Sequence, residues 1–458
     1  MENGRKEVNQ NFYRKLLIVG IPMIIQQVIA VTLNLADTIM VGKVGENALA
    51  AVGAANQIYF IFGVVLFGVF SGAAVHAVQY WGIRDIVSLR KIIGIDYTVC
   101  LTLAVPVTVF VFLTAPGLIR LFAEDAEVVL LGTKYLRIAC FSYIFSGLTF
   151  VISYNSRAIQ DVKVPTIING CAILMNVICN YLLIYGKCGF PKLGVEGAAI
   201  ATLLARVLEC AAMYLSVYLR KEYPLKAKPG ELFAYSGELF AGVMKTAVPV
   251  IITEGLWAVS VSCIFAAYGK ISASAFAVSQ VAVTVTDFFQ TIYFGLGNAS
   301  AVLLGEVLGQ GKKKLTYEYS RDILKVTWVL NVIMTAAIIL LRAPIADIYN
   351  FTPETTDMLM KALLVYAFAP KMLSYMMICA IFRPGGDTMF CMYVDVACNI
   401  GLQVPLAYIS VLLLDLPLHW AMTLVATADV LKIFICYYRY FSKKWMNIFT
   451  GREEVEEV

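Results

Sequence analysis

Histidine is nearly absent. His76 and His419 are the two in 458 residues. They lie too far apart to form H-E-x-x-H or H-x-x-x-H, so neither zinc hydrolysis nor histidine-based acyl transfer has a motif to stand on. There is no G-x-S-x-G elbow, and no pair of intramembrane aspartates beside a helix break. Membrane hydrolase and protease chemistry are thereby disfavoured. Cysteine is present in eleven copies, but no two form C-x-x-C. Scattered through apolar segments, they read as small hydrophobes rather than metal ligands. Charge is scarce, at 15% of residues with a net of +5. The basic residues sit in connections, as topogenic signals do, so no nucleic-acid partner is expected. A cleavable leader is not expected either, because MENGRKEVNQ runs straight into a hydrophobic span.

Apolar residues are abundant, at 60% with a mean hydropathy of +0.78. Soluble chains stay nearer 45–50%, so an all-α integral membrane protein is expected. Spans need about 20 apolar residues, and twelve are read: 14–41, 49–80, 91–114, 128–154, 163–186, 195–219, 238–268, 274–305, 318–341, 358–381, 389–413 and 419–441. One long polar connection, RKEYPLKAKPGELFAYSG at 220–237, separates an N-terminal six-helix bundle (1–219) from a C-terminal one (238–458). The bundles look like copies. At a constant offset of 227, IPMII (21–25) lies over VPVII (248–252), Gly42-Lys43 over Gly269-Lys270, and Gly68 over Gly295. Arg157 and Asp161 match Arg383 and Asp387 at an offset of 226. Six is an even number, so the repeats are parallel, related by an axis along the membrane normal that leaves a cleft between them. Lys and Arg crowd the termini and alternate connections, while the opposite connections hold few, such as Lys43, Arg120, Lys270 and Arg342. That bias predicts cytoplasmic termini and a multi-pass protein of the cell membrane.

Several residues do not belong in lipid. Asp37, in NLADTIMVGKVG of span 1, costs about 2.5–3.5 kcal/mol on insertion scales; Asn34 lies three residues earlier on the same face. In span 5, ILMNVICNYLLIYG, Asn176 and Asn180 are one turn apart. Thr202 lies in the small-residue run GAAIATLLA of span 6, which permits close helix approach. One carboxylate, two amide carbonyls and a hydroxyl suit a hard monovalent cation or a proton, and no soft metal. Interhelical hydrogen bonding alone is the alternative. Pro22 and Pro249 hold equivalent places in spans 1 and 7 and are either static kinks or hinges. Glu254 and Lys371 lie roughly 20 and 15 Å deep by counting rise, and a pair between spans 7 and 10 is expected. Arg206 and Glu209 are spaced to pair on span 6. Asp287 in span 8 is placed along the cleft; Asp395, Asp429 and Lys432 reach an interface or pair locally. Trp257, Tyr293, Phe288 and Phe289 either offer faces to a flat cation or, like most aromatics here, face lipid or pack in the core.

The chain resembles the multidrug and toxic compound extrusion (MATE) family over nearly its whole length. The resemblance rests on NLADTIMVGKVG, NVICNYLLIYG, GVEGAAIAT and the paired loops RAIQDVKVP and RPGGDTMF. It implies a V-shaped, monomeric antiporter that exports organic cations against Na⁺ or H⁺, with no cofactor besides that coupling ion. It makes Asp37 a cation site, with Asn176, Asn180 and Thr202 as its partners, and Pro22 the point of bending. One branch of the family has a second acid where this chain has Asn180, which leaves a single carboxylate here. Another branch has a glutamate at Glu254 and an aspartate near Lys371, where an ammonium would repel Na⁺. A lipid-precursor flippase of the same superfamily would want several basic residues in spans 1 and 2, yet only Lys43 lies between Lys15 and Arg84. A passive channel is disfavoured by the two-bundle repeat.

Overall fold

In a computed structural model the described residues are 2–123, 125–349, 351–368 and 371–451, less the side chains of 2–11 and 30–38. Among them every regular element is helical. Ten helices are long and apolar enough to cross a bilayer, and two bent helix pairs bring the number to twelve. The contacts divide the chain into two compact units.

The N-terminal unit, Ile25–Ala247, takes the later part of α1 (Glu2–Gly42), then α2 (Glu46–Gly82), α3 (Ile86–Arg120), α4 (Ala126–Ala139), α5 (Ser142–Ala158), α6 (Lys163–Tyr185), α7 (Val195–Tyr218), the short α8 (Pro229–Leu232) and the start of α9 (Gly237–Gly269). The expected fourth span is broken into α4 and α5, bent by 46°. Side chains take over the helix ladder at the break: the Ser142 hydroxyl donates to the Ala139 carbonyl, and Thr108 Oγ1 of α3 donates to that of Cys140. Such insertions are a known cause of sharp kinks.

The C-terminal unit, residues up to Ile24 and Val248–Val458, continues with α10 (Ala273–Gly309), α11 (Lys313–Ile348), α12 (Pro353–Phe368), α13 (Lys371–Met376), α14 (Thr388–Cys398), α15 (Val404–Leu412) and α16 (Leu418–Phe441). Two π-helical stretches interrupt it, Met377–Phe382 after α13 and Asn399–Gln403 after α14. They widen the helix by one residue per turn, a device frequent at functional sites.

The boundaries differ from those expected at 219 and 238. Residues 220–247 pack with the N-terminal unit, and residues up to Ile24 pack with the other. The polar connection is not a loose tether. Arg90 donates to the Pro224 carbonyl (3.2 Å) and pairs with Glu231 (3.0 Å), and the Leu232 backbone lies so close to Gly94 that no side chain fits there. The exchanged segments follow the repeat. In the N-terminal unit Ala247 of α9 rests on Gly72 of α2, where a Cβ on Gly72 would come 2.3 Å from the Ala247 Cα. In the C-terminal unit Gly20 of α1 rests on Ala299 of α10. Both residues shift by the same 227 positions, with glycine and alanine trading places.

Candidate functional site

In the N-terminal unit α6 and α7 approach closely because Gly197 has no side chain. A Cβ there would come 2.6 Å from the Leu183 carbonyl oxygen. That approach brings the predicted residues of two helices together. Asn180 Nδ2 donates to Asn176 Oδ1 (3.2 Å), and Asn176 Nδ2 lies 3.5 Å from Thr202 Oγ1. Asn180 is 1% exposed, so its amide is removed from bulk solvent. The end of α1 is fastened to the same helix, since the Tyr185 hydroxyl donates to the Met40 carbonyl at 2.8 Å. Asn34 and Asp37 lie outside the described residues. Chemically the cluster offers amide and hydroxyl oxygens, hard donors fit for a small monovalent cation.

One to two turns further along the same α6–α7 seam lies the expected Arg206–Glu209 pair at 2.7 Å. Asn169 of α6 adds a hydrogen bond to Glu209 (2.8 Å), which sequence spacing did not reveal. A second carboxylate, Asp96 of α3, is almost fully buried and accepts from Asn155 Nδ2 at 2.7 Å. It went unnoticed because hydropathy of the surrounding span hides one acid.

In the C-terminal unit the expected Glu254–Lys371 pair is not formed. Glu254 instead accepts from Arg383 Nη2 at 2.9 Å, and Arg383 is 5% exposed. Counting rise along span 10 treated Arg383 as a connection residue. The chain follows the π-helical stretch at Met377–Phe382 instead, and the long guanidinium side chain reaches into the unit. Lys371 opens α13, half-buried, with no ion pair among the described residues. Asp287 is exposed on α10. Asp429 accepts from Gln403 Nε2 (3.0 Å), and Lys432 pairs with Asp395, so these groups pair locally. Of the expected aromatic faces, Trp257 and Phe288 are exposed, whereas Tyr293 is buried and donates to Asn331 Oδ1 at 2.7 Å. Pro22 and Pro249 lie inside α1 and α9, which remain helical through them.

The paired loops are built alike. Asp161 of RAIQD accepts from Arg220 at the end of α7 and from the Tyr223 hydroxyl (2.7 Å). Asp387 of RPGGD accepts from Arg439 of α16 twice, at 2.6 and 2.9 Å. Arg157 Nη2 donates to Gln26 Oε1 of α1 at 3.2 Å, as Arg383 does to Glu254 of α9. Each motif thus ties the proline-bearing helix and the last long helix of its own unit to one loop.

Comparison with known proteins agrees with this duplicated construction. The MatE family profile matches twice, at residues 22–182 and 249–409, two segments separated by the same 227 positions. A probable multidrug resistance protein NorM of Thermotoga maritima is 24% identical over 357 residues, 76% of this chain and 74% of that one. A probable multidrug resistance protein YoeA of Bacillus subtilis is 23% identical over 420 residues, 88% of each chain. A MATE crystal structure in a bent conformation has a TM-score of 0.85 at 20% identity, and one in a straight conformation 0.83 at 20%, each covering 94% of this chain and 96% of the other. With two helical units joined in one fold and the family profile spanning most of both, this chain belongs to the MatE family and is a multi-pass membrane transporter rather than an enzyme.

Proposed function

We propose that the protein is a cation-coupled antiporter that expels amphipathic organic cations, with both termini in the cytoplasm and the coupling ion held at Asp37 by Asn176, Asn180 and Thr202. The observation that carries this reading is the convergence of Asn176, Asn180 and Thr202 on α6 and α7, with the end of α1 fastened beside them through Tyr185 and Met40. An ion that neutralises Asp37 changes what that carboxylate can accept, and α1 answers by bending near Pro22, where a backbone hydrogen bond is already missing. The solved relatives in bent and straight conformations support a bending element. Bending weakens the hold on substrate, which leaves outward. Coupling needs ion and substrate to favour different states; about 2 kcal/mol of difference gives roughly 30-fold. Na⁺ is favoured over H⁺ because Asn180 stands where a second acid would serve a proton relay.

The names of the relatives support multidrug export, and the exposed Trp257 and Phe288 give a flat cation surfaces to lie on. The test is efflux of a fluorescent cation from proteoliposomes under imposed Na⁺ or pH gradients. Wild type is expected to follow the Na⁺ gradient and Asp37→Asn to lose uphill efflux. Full uphill efflux by Asp37→Asn would defeat the coupling; efflux that follows pH and ignores Na⁺ would reassign the ion.

A further inference from the structure

We propose that Arg157 and Arg383 are positioning residues that govern how freely α1 and α9 bend beside their prolines, and that the unequal strength of their bonds directs bending to α1 rather than α9. This rests on the bending step proposed above and names what regulates it.

Proline removes one backbone donor and leaves the carbonyl a turn earlier without its ladder bond, so a helix bends there at low cost. Pro22 and Pro249 do this in α1 and α9. About one turn beyond each proline a side chain from the paired loop takes hold: Arg157 on Gln26 at 3.2 Å, Arg383 on Glu254 at 2.9 Å. The loops supplying these arginines are themselves fixed, since Asp161 is held by Arg220 and Tyr223, and Asp387 by Arg439. Arg157 is further held over the Tyr154 ring at 4.8 Å. An arginine so anchored cannot follow a bending helix, and its bond must stretch or break.

The two bonds differ in kind. Gln26 is a neutral amide, and Glu254 brings a full charge to a guanidinium in a largely dry place. Hydrogen bonds between charged partners are about twice as strong as neutral ones. The two halves thus carry similar latches at neighbouring rather than identical repeat positions, weak on α1 and strong on α9. The weak latch lies in the unit that holds the proposed ion site, and the strong one resists bending of α9.

The test is hydrogen exchange by mass spectrometry on the full-length protein in nanodiscs, with backbone amides followed around Pro22 and around Pro249, alongside efflux. Gln26→Glu makes the first latch ionic and is expected to slow exchange around Pro22 and to slow efflux, each roughly 10-fold. Gln26→Glu with Arg157→Gln is expected to restore both. Arg157→Gln alone should speed exchange around Pro22 and leave Pro249 unchanged. Glu254→Gln should speed exchange around Pro249 only. Equal protection near Pro22 in wild type, Gln26→Glu and the double variant would overturn the proposal, as would acceleration at both prolines by Arg157→Gln or by Glu254→Gln. Exchange is read with no gradient applied. Failure of wild-type efflux to follow any ion gradient would therefore sink the antiport reading and leave the latch measurement standing.

Discussion

Arg383 shows how one side chain redraws the C-terminal unit. Its guanidinium is buried and meets the Glu254 carboxylate. Removing one partner of a buried pair costs about 3–5 kcal/mol, because the other charge stays without compensation. Glu254→Ala is therefore expected to lower the melting temperature in detergent sharply. Lys371→Ala breaks no ion pair among the described residues and is expected to cost less than about 1 kcal/mol. Equal losses in the two melts would mean that Lys371, not Arg383, carries the compensation. The contrast also marks where sequence reading works for charges. Arg206 and Glu209 were legible as a pair because three residues on a helix fix their geometry locally. Glu254 and Arg383 are 129 residues apart, and which of two cations, Lys371 or Arg383, meets the acid depends on helix register. The π-helical stretch after α13 shifts that register, and no pattern of apolar residues announces it.

For the helices, the α6–α7 contact is the element on which the candidate site depends. The run GAAIATLLA was readable as a close-packing surface, since small residues let backbones approach. The meeting of Asn176 with Thr202 follows from it. Gly197→Val puts branched carbon against the Leu183 carbonyl and should push the helices apart, costing about 1–3 kcal/mol. The measurable consequence is a lower melting temperature together with weaker dependence of efflux on Na⁺. A Gly197→Val protein with wild-type Na⁺ dependence would show that the spacing of α6 and α7 does not matter to the ion. Hydropathy gave the spans their number but not their shapes. The break between α4 and α5 arises from two hydroxyls, Ser142 and Thr108, that bind carbonyls of the ladder, and a threonine 32 residues away from its acceptor leaves no local trace.

At the scale of the molecule, the duplication was visible as a constant offset of 227, and the family profile repeats at that same interval. The exchange of helix ends was not visible. Hydropathy cuts a chain at its polar connection, whereas packing assigns residues up to Ile24 to the C-terminal unit and residues 220–247 to the N-terminal one. Cleaving the chain between Tyr235 and Ser236 thus leaves each half without a segment its own unit packs around. Fragments 1–235 and 236–458 are expected to be unstable when expressed singly and to copurify when expressed together; a stable, monodisperse 1–235 alone would contradict this assignment of segments. The trade of glycine for alanine between Gly72–Ala247 and Ala299–Gly20 carries the point back in time. A half-length ancestor built on this plan would have packed its second helix on the helices that follow it, but would have left bare the patch that Ala247 covers here. It could have completed itself only as a homodimer, each copy lending its opening helix to the other, and gene fusion would then have frozen that loan into a single polypeptide.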